Sequence, residues 1–145
     1  TLRGGIQLVI RFCGEPSEIH DNYDYTHCKA YYDYGEDKLE IPPEVMQCLL
    51  EKTLVYSGSL YPICSLMRLR KFLARGWRIS AGELLKLSEN ITQVDFNNVG
   101  MLQEQLMGVD MAYMHQFITA LHRAKKDKQR IDAAYIAQLL DRIYD

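Results

Sequence analysis

Hydrophobic and polar positions change period once along this chain, and the change divides it. In "IQLVIRF" Ile6, Leu8, Ile10 and Phe12 alternate with Gln7, Val9 and Arg11, a spacing that predicts a half-buried strand. "GEPSEIHDN" follows, and its Gly14, Pro16, Ser17 and Asn22 predict a loop. From Tyr23 the alternation resumes, with Asp24, Thr26, Cys28, Ala30 and Tyr32 on one face of a second strand. Tyr25, His27, Lys29, Tyr31 and Asp33 take the other face. "YGEDK" reads as a turn and "LEI" as a short third strand ending at Pro42.

Beyond Pro42 the period becomes about 3.6 residues. Pro42, Pro43 and Glu44 suit the first turn of a helix whose apolar stripe is Val45, Met46, Leu49 and Leu50. "TLVYSGSLYP" interrupts the helical pattern. Pro62 then opens a second helix, which Gly76 closes as a left-handed cap. Ser80 and Glu83 have the spacing of a capping box and start a third helix. Two or three more follow, the last with Ile136, Leu139, Leu140 and Ile143 on one face. The expected fold class is α+β: a small antiparallel β element of about three strands in residues 1–41, then a helical array over 42–145, together one compact unit.

Composition narrows the function classes. With 145 residues, 48% of them hydrophobic and 25% charged, the chain can bury a core as one globular domain. It has no apolar run of about 18 residues, so no membrane role is expected. The opening "TLRGGIQLVIRF" has neither signal-peptide organisation nor a methionine, which suggests a processed or trimmed start. Cys13, Cys28, Cys48 and Cys64 form no CxxC pair and are expected to be small buried thiols in a reducing compartment. A net charge of −2 excludes a globally basic nucleic-acid binder, so any polyanion contact must use a local patch.

Such a patch is visible. From Lys52 to Arg78 there is no acidic residue, whereas "MRLRKFLARGWR" carries Arg68, Arg70, Lys71, Arg75 and Arg78. On a helix Arg68, Lys71 and Arg75 make one row of cations, fit either for phosphates or simply for solvent. Just upstream, Ser57, Gly58 and Ser59 either let backbone N–H groups approach an anion or serve only to reverse the chain. Asp24 is either a cap at the sheet rim or a ligand of a hard cation such as magnesium. Trp77 is expected to pack the helix cap, and His115 and His122 share a helical face without a third ligand.

Three stretches carry a resemblance. "GEPSEIHDNYDYTHCKAYY", "YSGSLYPICSLMRLRKFLARGW" and "ISAGELLKL" together resemble nucleotidyltransferase-like proteins of tailed bacteriophages, within the polymerase-β superfamily. The resemblance implies that Asp24 is the third metal-binding carboxylate of a catalytic site. It also implies that Ser57, Gly58, Ser59, Arg68, Lys71 and Arg75 face a nucleotide or nucleic-acid strand, with Mg2+ as cofactor and a nucleoside triphosphate as substrate. The superfamily's Gly-Ser start with a following D-x-D pair is not in these residues. Either an N-terminal segment or partner chain supplies it, or the scaffold serves without catalysis. The resulting expectation is transfer of nucleotides to a nucleic-acid or other hydroxyl acceptor. The alternative is a non-catalytic phage module that binds nucleic acid or assembles with proteins, or a virion component. The expected location is the cytoplasm of an infected host, or the virion.

Overall fold

A computed structural model describes residues 12–96, 98–105 and 111–144. The strand expected over Ile6–Phe12 lies, except for Phe12, outside the described residues. The fold is α+β, with a small antiparallel hairpin near the N-terminus and helices after it.

The segment expected to be a loop contains one helical turn, α1 (Pro16–His20). Pro16 pre-sets the helical φ in the first turn, and the Glu18 carboxylate accepts the Glu15 N–H at 2.9 Å. The long strand expected from Tyr23 to Asp33 is corrected. Asp24, Tyr25 and Thr26 are buried in succession, which no two-faced strand allows, and Thr26–Cys28 forms a single 3-10 turn. The backbone here pairs with a distant segment instead. Thr26 N–H donates to the Val55 carbonyl at 3.0 Å and Ser57 N–H to the Asp24 carbonyl at 2.8 Å, around an antiparallel bridge between Tyr25 and Tyr56. Only Tyr31–Asp33 is strand (β1), paired with β2 (Lys38–Glu40) in the register Tyr32 opposite Leu39. Asp33 Oδ1 accepts the Gly35 and Glu36 N–H groups and fixes the turn between them.

Helix α2 (Pro43–Glu51) buries Val45 and Cys48, while Met46, Leu49 and Leu50 of the expected stripe are exposed. It ends at Lys52 in the left-handed conformation, φ 50°. Then β3 (Thr53–Leu54) pairs in parallel with β4 (Arg78–Ile79), and α3 (Pro62–Ala74) is the crossover between them. Gly76, at φ 82°, ends α3 as its sequence position predicts. Its N–H reaches the Leu73 carbonyl at 3.0 Å, and the Trp77 N–H reaches that of Phe72 at 3.1 Å, the paired bonds of a Schellman stop.

Helix α4 (Ala81–Thr92) starts at Ser80, whose hydroxyl accepts the Glu83 N–H. Helices α5 (Val99–Glu104), α6 (Met111–Lys126) and α7 (Ala133–Tyr144) complete the array. Among the described residues two apolar cores result. Tyr25, Leu54, Tyr56, Leu69 and Leu87 form one; Ile63, Leu102, Phe117, Leu121, Ile136 and Leu139 are in the other. Helix α3 contributes to both. Cys48 is buried and Cys28 and Cys64 are half-buried, but Cys13 is exposed, contrary to the expectation for all four.

Candidate functional site

The bridge at Tyr25 and Tyr56 carries Asp24 under α3, where an Arg68 guanidinium nitrogen lies 2.5 Å from its carboxylate. A second guanidinium nitrogen lies 3.4 Å from Cys28 Sγ, and the group stands 5.8–6.0 Å from the Phe72 and Tyr25 ring centres. Tyr25 anchors the arrangement, its hydroxyl donating to the Ser65 carbonyl at 2.9 Å. Beside it the His27 ring sits 4.6 Å from Phe72 and 4.2 Å from Trp77, so Trp77 packs against the end of α3. His27 Nδ1 is buried without a hydrogen-bond partner.

The charges decide what this cluster can do. His27 Nε2 is 3.5 Å from Cys28 Sγ, which invites comparison with a nucleophilic pair. Burial pushes the thiol of Cys28 up and, with the Arg68 charge added, holds the His27 imidazole below its ordinary range. At neutral pH the pair is therefore a neutral thiol beside a neutral ring, which is no activated nucleophile. Magnesium fits no better. Asp24 is buried and occupied by Arg68, and among the described residues no three His, Cys, Asp or Glu side chains gather where an ion would sit.

The Ser57–Gly58–Ser59 turn lines a different feature, an open polar cleft of about 730 Å³ completed by Asp21, Asn22, Lys86, Glu89, Asn90 and Gln93. Two of its backbone donors are committed internally. Ser57 N–H goes to Asp24 and Ser59 N–H to Asn90 Oδ1 at 3.1 Å, the oxygen that also accepts the Tyr56 hydroxyl at 2.6 Å. Burial pushes the Tyr56 phenol up to about 12. The α3 entrance is also occupied: Pro62 has no N–H, and Ile63 donates to Gln105 Oε1 at 3.3 Å. An anion drawing on the Ser57, Ser59 or Ile63 N–H would have to displace those partners.

The expected site residues are thus distributed. Asp24 and Arg68 meet, and Ser57 joins them through Thr26, whose hydroxyl is 3.2 Å from its own. Lys71 borders a groove between α3 and α7, and Arg75 is exposed at the end of α3. His122 contacts Gln103, while His115 is exposed on the same helix. Three structural residues escape sequence reasoning in part or whole. Glu83 caps its helix as foreseen, but its carboxylate also accepts the Tyr56 N–H at 2.7 Å. Asn90 and Gln105 carry no motif; Gln105 binds Ile63 and, through Nε2, the Leu60 carbonyl at 3.1 Å.

Comparison with known proteins corrects the family resemblance. Residues 2–52 match the model of the Gabija anti-defense 2 family. The protein "Gabija anti-defense 2" of Bacillus phage SPbetaL7 is 21% identical over 106 residues, covering 72% of this chain and 26% of its own length. The chain therefore spans about a quarter of the curated relative it matches. No solved structure matches. Both similarities lead to Gabija anti-defense 2, which overturns the nucleotidyltransferase assignment and the transferase, nucleotide-binding and nucleic-acid-binding roles attached to it. The likeness to a bacteriophage protein stands.

Proposed function

We propose that this chain is a bacteriophage anti-defense module that acts against Gabija inside the infected host, and that it acts by binding a Gabija protein. The similarity to Gabija anti-defense 2, in the match of residues 2–52 and along 106 residues of the phage relative, carries this reading. Support from the geometry is chemical: the carboxylate, thiol and imidazole that suggested catalysis are engaged in holding α3 to the 24–28 segment.

Plaque formation on a Gabija-bearing host tests the reading. Expression of the chain should restore plating of a Gabija-sensitive phage, and rescue should track the ratio of the chain to the Gabija proteins, as stoichiometric binding requires. Absence of rescue at high expression overturns the reading. Full rescue at far substoichiometric levels would replace binding with catalysis.

A further inference from the structure

The β1–β2 hairpin turns apolar side chains outwards. In an antiparallel pair with one wet face, those side chains ordinarily face the protein. Here Tyr31, Asp33 and Glu40 share the half-buried side, with the Tyr31 ring 5.3 Å from that of His20. Tyr32 and its cross-strand partner Leu39 are exposed on the other side, where they can cover only each other. Tyr34 has no such cover: it is 91% exposed at the turn and, among the described residues, makes no hydrogen bond or ring contact. The fold makes no use of this ring. The charge around it is nearly all of one sign. Between Tyr31 and Glu40 stand four carboxylates, Asp33, Glu36, Asp37 and Glu40, and one cation, Lys38, which is ion-paired to Glu40. Asp33 and Asp37 accept from neutral donors, the Gly35 and Glu36 N–H groups and the Tyr32 hydroxyl, and the Glu36 side chain is exposed.

Resting on the anti-defense reading, we propose that this hairpin docks on the Gabija protein that the chain binds, with Tyr34 as its anchor, and that the surface it meets is basic with an apolar recess for the ring. A tyrosine that folding leaves bare can bury a large ring at the cost of fixing two torsions, which is why this residue type carries interface energy. Four carboxylates against one paired lysine select a basic partner. The same charges repel a nucleic-acid backbone, and the hairpin of a second copy would bring like charges face to face. The family match over residues 2–52 takes in the whole hairpin, so this surface belongs to a part of the chain that carries the anti-defense similarity.

Binding of the purified chain to purified Gabija proteins, measured at low and high salt, tests the hairpin with three variants. All three positions are exposed, and an unchanged urea midpoint checks that each variant folds. Tyr34→Ser removes the anchor and Glu36→Lys the charge match; each should weaken binding by about tenfold, the first keeping its salt dependence and the second flattening it. Lys38→Gln removes the lone cation from an exposed pair and should tighten binding at low salt. If the wild-type chain binds and both Tyr34→Ser and Glu36→Lys bind equally well, the hairpin is not the contact and the inference fails while the anti-defense reading survives. Weaker binding of Lys38→Gln would make the partner surface acidic and overturn the proposal. If the wild type neither binds nor rescues plating, both fall together. Sedimentation of the chain alone is the control: a dimer that Tyr34→Ser dissociates would give the hairpin to a second copy and overturn the proposal.

Discussion

Arg68 closes on Asp24 across 44 residues of chain, and two positions to which the family resemblance gave ligands form an ion pair with each other. The pair is unequal. The Asp24 side chain is 5% exposed, whereas that of Arg68 is 40% exposed and can reach water if its partner is lost.

That inequality predicts an order of cost. Arg68→Met strands a buried carboxylate and should destabilise by about 3 kcal/mol. Asp24→Asn keeps an oxygen for the guanidinium and leaves the cation near solvent, so it should cost about 1 kcal/mol. Urea unfolding of the two variants gives the comparison, and a larger loss for Asp24→Asn would mean that Asp24 has a role the ion pair does not explain.

Gly76 offers a cleaner test of backbone strain. It holds φ 82°, and a Cβ added there meets nothing within 4 Å. Gly76→Ala should therefore cost about 1 kcal/mol through conformation alone, with Gly76→Asn milder because asparagine tolerates the left-handed region. Thermal melting distinguishes them; equal midpoints for all three proteins would refute a left-handed stop at this position.

At the start of α4, Ser80→Ala removes one cap bond and should cost about 1 kcal/mol. Glu83→Ala should cost more, about 2 kcal/mol, because it also strands the N–H of buried Tyr56. Lys86→Ala breaks an exposed pair with Glu83 and should change little. Denaturant midpoints rank the three, and a Glu83→Ala cost no greater than that of Ser80→Ala would reduce Glu83 to a simple cap.

Acid should loosen the aromatic cluster. His27 is held below its ordinary 6.5 by burial first and the Arg68 charge second, with Asp24 opposing. As pH falls through 6.5 the unfolded chain takes up the proton before the folded one, so stability is complete above that pH and declines below it. His27→Phe removes this share and should make the acid-side loss shallower. It should not abolish it, since His20 is lowered in the same direction by burial and Lys29. Melting temperatures between pH 5 and 8 supply the test; parallel curves for wild type and variant would exclude His27 from the acid response.

Much of the helical part was legible because its signals are local. Pro62, Gly76 and the Ser80 cap act within a turn of themselves, and the face of Ile136 and Leu139 follows from spacing alone. The 23–33 stretch was misread for the opposite reason. Its alternation satisfies the strand pattern, but Tyr25 is drawn into a core built by Tyr56 and Leu69, and its neighbours pair with residues 55–57. Periodicity cannot report a partner thirty residues away. On α2, Cys48 rather than Leu49 or Leu50 faces inward, a choice made by the surface opposite and not by hydrophobicity. The candidate site was legible as residues but not as an arrangement: Asp24 and Arg68 stood out individually, and only the fold shows that each satisfies the other.

The parallel pairing of β3 with β4 has a consequence for how the chain reaches this state. A parallel pair cannot close through a tight turn, so the ladder between Thr53 and Arg78 needs a crossover, and α3 supplies it. Local helix formation in α3 should precede the non-local ladder, and the docking of Tyr25 beside Tyr56, which joins a segment further away in sequence, should follow it. The order should be written in hydrogen exchange during refolding: amides inside α3 protected first, the Arg78 N–H bound to the Lys52 carbonyl next, and the Ser57 N–H bound to Asp24 last.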